Sequence, residues 1–142
     1  MKFQEKFTLP AGAYYIGDPC YILNDEIYHK ILMPLVFESL RNRRNAYEFY
    51  SNPNNEYTQR GVVMHTLEGD GLYPSNTGLF FAVDSGQIAC IDMACIGITE
   101  DIDYAVSKNS VCIYNFNKPF NCVRYDNGVL RFNSVSINTW DE

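Results

Sequence analysis

The residues with the most chemical potential lie near the start of the chain, in Gly17-Asp18-Pro19-Cys20-Tyr21. Pro19 presets φ for the first central position of a turn, and Asp18 before it can accept a hydrogen bond from the Cys20 amide. That makes the segment a rigid connection between two elements. It also places a thiol and a carboxylate side by side. A nucleophilic cysteine needs a depressed pKa and a base within reach, and the chain has two histidines, His29 and His65. His29 falls on an expected helix and His65 in an expected strand, so nothing in the spacing sets either beside Cys20. Asp18, Asp70, Asp84 and Asp92 all fall at turns or strand ends, where carboxylates can converge as an acid–base pair or on a metal. Aspartate is also a common turn residue for conformational reasons alone. The segment around Asp70 lacks the alternating acids and distal glutamate of a calcium loop. Asp18, Asp70, Asp84, His65 and Cys20 are therefore candidates for a hydrolytic centre, without an assembled catalytic motif. No metal or other cofactor is expected.

A second chemistry is anion binding. Arg41, Arg43 and Arg44 form the one concentrated block of positive charge, and Tyr47, Phe49, Tyr50 and Tyr57 follow it. Guanidinium groups clamp phosphates and aromatic rings stack on bases. The same arginines also suit a helix C-terminus, where cations complement the dipole. Tyr14 and Tyr21 extend the supply of stacking rings. Near the C-terminus, a two-residue Asn127-Gly128 hairpin would place Arg124 directly opposite Arg131. Like charges facing across a hairpin are destabilising, so this pairing suggests a phosphate between them.

The elements that must position these groups are mostly strands. Strands are expected at Phe3–Leu9, Ala13–Ile16, Arg60–Leu67, Thr77–Asp84, Gln87–Asp92, Val111–Phe116 and Phe120–Asp126. Another runs from Val129 onward and extends through Ser134–Thr139. Ser85-Gly86 reads as a two-residue hairpin loop, with Val83 facing Ile88, Phe81 facing Cys90 and Phe80 facing Ile91. Asn127-Gly128 is the stronger hairpin signal. Ile27, Ile31 and Leu35 recur at helical spacing after Asn24-Asp25-Glu26, so one helix is expected from about 25 to about 42, with Pro34 kinking or restarting it. Arg41–Gln59 reads as a long polar surface loop. Glu68-Gly69-Asp70-Gly71 and Pro74-Ser75-Asn76 read as turns. The expected fold is α+β and mostly β: an antiparallel sheet or partial barrel of seven to nine short strands with one main helix, in a single domain spanning 1–142.

Composition narrows the function. The net charge of −6 argues against nucleic acid as a partner, because neutralising the phosphate backbone needs clustered Lys and Arg. The five cysteines are odd in number and match no zinc spacing, so they are expected to be reduced, buried thiols. The N-terminus carries no signal-peptide pattern and no run is long enough to span a membrane. The expectation is a cytoplasmic protein.

The order of motifs resembles a family of small phage and prophage accessory proteins. The runs are GAYYIGDPCYIL, EGDGLY, GLFFAVDSGQIACID and FNCVRYDNGVLRFNSVSINT. The resemblance extends over most of the chain except Glu38–Thr58. The resemblance carries no catalytic residue with it. It implies a host-cell context in which small proteins block defence enzymes or sequester their signals. Three functions follow from these readings. The first is a binder that sequesters a small anionic, nucleotide-like ligand, as a possible homo-oligomer. The second is a protein–protein inhibitor of a host enzyme. The third is a metal- or Asp-dependent hydrolase.

Overall fold

The computed structural model describes residues 3–23, 25–49, 61–93 and 112–139. Eleven strands lie among them, in three antiparallel sheets. Five strands form the central sheet: β3 (Ala46–Phe49), β4 (Gly61–His65), β7 (Gln87–Asp92), β2 (Gly12–Gly17) and β8 (Cys112–Phe116), in that order. A four-stranded sheet is ordered β1 (Phe3–Leu9), β9 (Phe120–Tyr125), β10 (Val129–Phe132) and β11 (Val135–Asn138). The third is a ribbon of β5 (Gly71–Pro74) and β6 (Phe80–Val83). Among the described residues no sheet closes into a barrel, and the α+β, mostly β class read from the sequence holds.

Side-chain alternation explains the layering. In β2, β4 and β7, Tyr14, Ile16, Val62, Met64, Ile88 and Cys90 point to one side, into a core shared with Leu130, Phe132 and Ile137 of the four-stranded sheet and with Tyr73 and Phe81 of the ribbon. The intervening Tyr15, Val63, Ala89 and Ile91 point to the other side, against Ile22, Leu32 and Val36. Every residue of β7 is buried. A strand covered on both faces reads as a continuous apolar run rather than an alternating one, as Ile88-Ala89-Cys90-Ile91 does.

The helical segment lies close to its expected bounds. It runs as α1 (Asp25–Ile27), a π-turn (Tyr28–Leu32) and α2 (Met33–Arg41). Pro34 cannot donate to the carbonyl four residues back and its ring crowds that carbonyl. The wider π-turn just before it accommodates both effects. At the other end, the Arg44 amide donates to Ser39 O at 2.8 Å and the Arg43 amide to Leu40 O at 3.1 Å, with Arg43 at φ 58°. This is a Schellman cap with arginine in the left-handed position that glycine usually fills. Arg43→Gly should therefore raise stability by about 1 kcal/mol in urea denaturation, the left-handed penalty of a side chain.

Several expectations are corrected. β6 and β7 are consecutive but not paired. β6 pairs with β5, while β7 is flanked by β2 and β4. The Asp84 amide that would close a two-residue hairpin at Ser85-Gly86 is instead taken by the Asp18 carboxylate, which also holds the Ser85 amide. The polar stretch after Arg41 contains a strand, β3; its centre, residues 50–60, lies outside the described residues. Leu72 and Tyr73 belong to a strand between two turns. Residues after Phe132 do not extend β10. They reverse at Asn133, at φ 57°, and return as β11. Finally, the β9–β10 register is displaced by one. Arg124 pairs with Leu130, and Arg131 with Val123. Gly128 alone of the Asn-Gly pair has positive φ, and its amide closes a turn onto Tyr125 O at 3.1 Å. A type I turn followed by one left-handed glycine has three loop residues rather than two, so every partner moves by one and Arg124 and Arg131 occupy opposite faces.

Candidate functional site

Asp18 is fully buried and accepts four hydrogen bonds. Oδ1 takes the Cys20 amide at 2.8 Å and the Ser85 hydroxyl at 2.7 Å. Oδ2 takes the Asp84 amide at 2.6 Å and the Ser85 amide at 2.9 Å. A carboxylate has about four acceptor positions, so this one is saturated. It joins the Gly-Asp-Pro turn to the β6–β7 turn, two motifs 66 residues apart.

Three of the candidate acids do converge. Asp18, Asp84 and Asp70 all act on the Cys20 thiol, which burial first and these carboxylates next push far above its ordinary value. A thiol held protonated is not a nucleophile. Neither imidazole serves it. The His29 ring turns back onto Asp25 O at 2.9 Å, and His65 Nε2 meets Ser39 Oγ at 2.9 Å. The Tyr21 hydroxyl donates to Asp84 Oδ2, and burial followed by that bond pushes its pKa up as well. Among the described residues, no group of three or more His, Cys, Asp or Glu is arranged to hold a metal ion. Cys90 and Cys122 are buried free thiols, as expected; Cys20 is half-buried, and Cys95 lies outside the described residues.

The arginine block separates. Arg44 makes a paired contact with Glu5, Nε to both carboxylate oxygens at 2.9 Å and Nη2 to Oε1 at 2.5 Å. Arg41 and Arg43 stay in solvent. Arg44 and Tyr47 line a cleft of about 210 Å³ with Phe7, Ser39, Glu38 and Glu48. Two glutamates in so small a space, and a guanidinium already neutralised, make poor surroundings for a phosphate. Tyr47 is itself buried, with its hydroxyl on Gln87 Oε1 at 2.8 Å.

His65 sits behind this cleft. Burial, and then the Arg124 charge, push its imidazole below the ordinary 6.5. As pH falls the unfolded chain binds the proton first, so stability is full above about 6.5 and is lost as pH drops below it. His65→Gln should flatten that loss when urea midpoints are compared between about pH 7.5 and about pH 5.

Arg124 is 2 % exposed; its Nε donates to His65 O at 2.9 Å and its Nη1 to Tyr125 O. It braces β9 against β4 and does not face an anion shared with Arg131. Tyr14 is buried too, its hydroxyl on Pro10 O at 2.9 Å. Its ring packs edge-on against Phe120, with centroids 5.1 Å apart.

That ring contact leads to a site the sequence reading missed. Phe120 stacks on Phe116 at 3.8 Å and 22°, and Tyr114 lies 6.2 Å from Phe116. These rings and Lys118 border a cleft of about 430 Å³, between the β8–β9 turn and the β10–β11 turn that carries Asn133. Asn115 and Asn117 also line it, and among the described residues no carboxylate does. Arg131 Nε donates to the carbonyl of Asn133, a wall residue, at 3.3 Å. The sequence signal was the alternation of Tyr114, Phe116 and Phe120 around Asn-Lys-Pro. It reads as ordinary strand patterning until the second turn is known to lie beside it. Of the eight candidate ligand residues, Tyr14 packs against the Phe116 and Phe120 rings of this cleft, and Arg131 bonds to Asn133 of its wall without lining it. Arg44 and Tyr47 line the smaller one, and Tyr21 belongs to the Asp18 cluster.

No family model matches the chain, and no curated protein or solved structure matches it significantly. Among the described residues, no helix is long and apolar enough to cross a membrane.

Proposed function

We propose that this chain is a phage-type accessory protein that works by binding rather than by catalysis, sequestering a small anionic, nucleotide-like ligand in the cleft between the β8–β9 and β10–β11 turns. One observation carries the reading: in a protein of net charge −6, this cleft combines three aromatic rings, asparagine amides and a lysine with no carboxylate in its described wall. A volume of about 430 Å³ is within the range of small-molecule sites. Half-buried Phe116 and Tyr114 offer flat surface to a base, where stacking contributes roughly 1–3 kcal/mol. Asn115 and Asn117 supply both donors and acceptors for a base edge. Lys118 supplies the point charge for a phosphate. The non-catalytic reading is supported by the saturated Asp18 and the protonated Cys20. The host cytoplasm is the matching compartment, and the motif order described above supplies the phage context.

Thermal shift with AMP, ADP-ribose and a cyclic dinucleotide tests the reading. A ligand at 100 times its Kd should stabilise the fold by about 2.7 kcal/mol. Lys118→Glu should abolish that stabilisation while leaving the unliganded protein unchanged. No response to any of the three, or a response that survives Lys118→Glu and disappears with Arg44→Ala, would contradict it.

A further inference from the structure

The β5–β6 ribbon has two apolar faces, and among the described residues only one of them is covered. Tyr73, Phe81 and Val83 point inward and are buried. Register pairs Leu72 with Ala82 and Pro74 with Phe80, so these four share the outer face. Leu72 is 63 % exposed and Phe80 50 %. A sheet with one face on the core normally carries polar residues on the other. A contiguous exposed apolar patch marks an interaction surface.

The patch is also held in place. At one end Asp18 fixes the Asp84 and Ser85 amides. At the other, the Ser75 hydroxyl donates to Leu79 O at 2.7 Å, and Asn76 exchanges hydrogen bonds with Ser136, its amide to Ser136 O at 3.0 Å and the Ser136 amide to its Oδ1 at 2.9 Å. A preorganised surface loses little entropy on docking. Its charge is one-sided. The stretch 67–86 contains Glu68, Asp70 and Asp84 and neither lysine nor arginine. Asp70 and Asp84 flank the Gly71–Val83 pair, so two carboxylates stand at the same end of the ribbon.

We infer that the outer face of the β5–β6 ribbon docks a different protein, one presenting an apolar ridge flanked by lysine or arginine. A second copy of this chain would bring the same acids to the same rim, where like charges oppose association. Complementary potentials favour a basic partner instead. This surface is separate from the ligand cleft, and the inference stands or falls independently of it.

The test uses a synthetic amphipathic helix of leucine and lysine, with a leucine–glutamate helix of the same pattern as control, titrated into the ¹⁵N-labelled full chain. The expected result is saturable binding of the lysine peptide, with shifts at Leu72, Leu79 and Phe80. Affinity should fall at least tenfold with Leu72→Ser/Phe80→Ser, and severalfold with Glu68→Gln/Asp70→Asn. These side chains are exposed, so the variants should keep the wild-type spectrum elsewhere. Three results would overturn the inference: equal binding of the glutamate peptide, shifts confined to other surfaces, or a dimer in sedimentation velocity that Phe80→Ser dissociates.

Discussion

Asp18→Ala should cost roughly 4–6 kcal/mol, because it strips acceptors from three backbone amides and a hydroxyl at once, each worth about 1–3 kcal/mol when left unpaired in the interior. Against a total stability of about 5–15 kcal/mol for a domain, that brings the chain near unfolding. Asp18→Asn separates shape from charge. The amide keeps the volume but turns an NH2 toward amides that need an acceptor, so a loss of about 2–4 kcal/mol is expected in urea denaturation. A change below 1 kcal/mol for Asp18→Ala would mean that the carboxylate does not join the two turns. It would also reopen a chemical role for Asp18, since the hydrogen bonds that saturate it would then be dispensable.

The second large effect falls on Phe120. Its ring is 4 % exposed and touches both Tyr14 and Phe116. Phe120→Ala removes a core aromatic and should cost about 3–5 kcal/mol. Phe120 also lines the cleft proposed to take the ligand, so the same substitution should weaken nucleotide-induced stabilisation even where the protein remains folded. Phe116→Leu supplies the milder comparison. It keeps most of the apolar volume and removes the stacking partner, so ligand response should drop with a stability loss under about 1.5 kcal/mol. Equal loss of stability and of ligand response in both variants would reduce the aromatic cluster to a purely structural role.

Much of the architecture follows from local pattern. Alternation and turn chemistry placed β1, β2, β4, β7, β8 and β9 close to their observed bounds. The four-residue recurrence of Ile27, Ile31 and Leu35 located the helix. Even the Asp18-to-Cys20 bond follows from the turn preference of Asp-Pro. What could not be read was set by partners distant in sequence. Asp18 reaches across 66 residues to Asp84, and by taking its amide and that of Ser85 it separates β6 from β7. The Asn127-Gly128 signal was right about a reversal and wrong about its length. One extra loop residue turned Arg124 inward, to His65 and Tyr125, and left Arg131 outside. β3 was hidden because it is only four residues long within an arginine- and asparagine-rich run, and its partner β4 is distant in sequence.

The candidate site divides in the same way. The arginine block looked like a phosphate clamp because charge density is visible in sequence, whereas its consumption by Glu5 and by the helix cap is not. The aromatic cleft was the reverse case. Each of its rings reads as strand core, and only the meeting of two turns, one at Asn117-Lys118-Pro119 and one at Asn133-Ser134, makes them a wall.

The most direct test of binding at this cleft is chemical-shift mapping of the ¹⁵N-labelled protein with whichever nucleotide gives the largest thermal shift. Saturable shifts are predicted across Tyr114–Phe120 and at Asn133 and Ser134, and they should vanish in Lys118→Glu. Shifts confined to Ser39–Tyr47, or to the Asp18 and Asp84 turns, would place the ligand elsewhere and contradict the proposal.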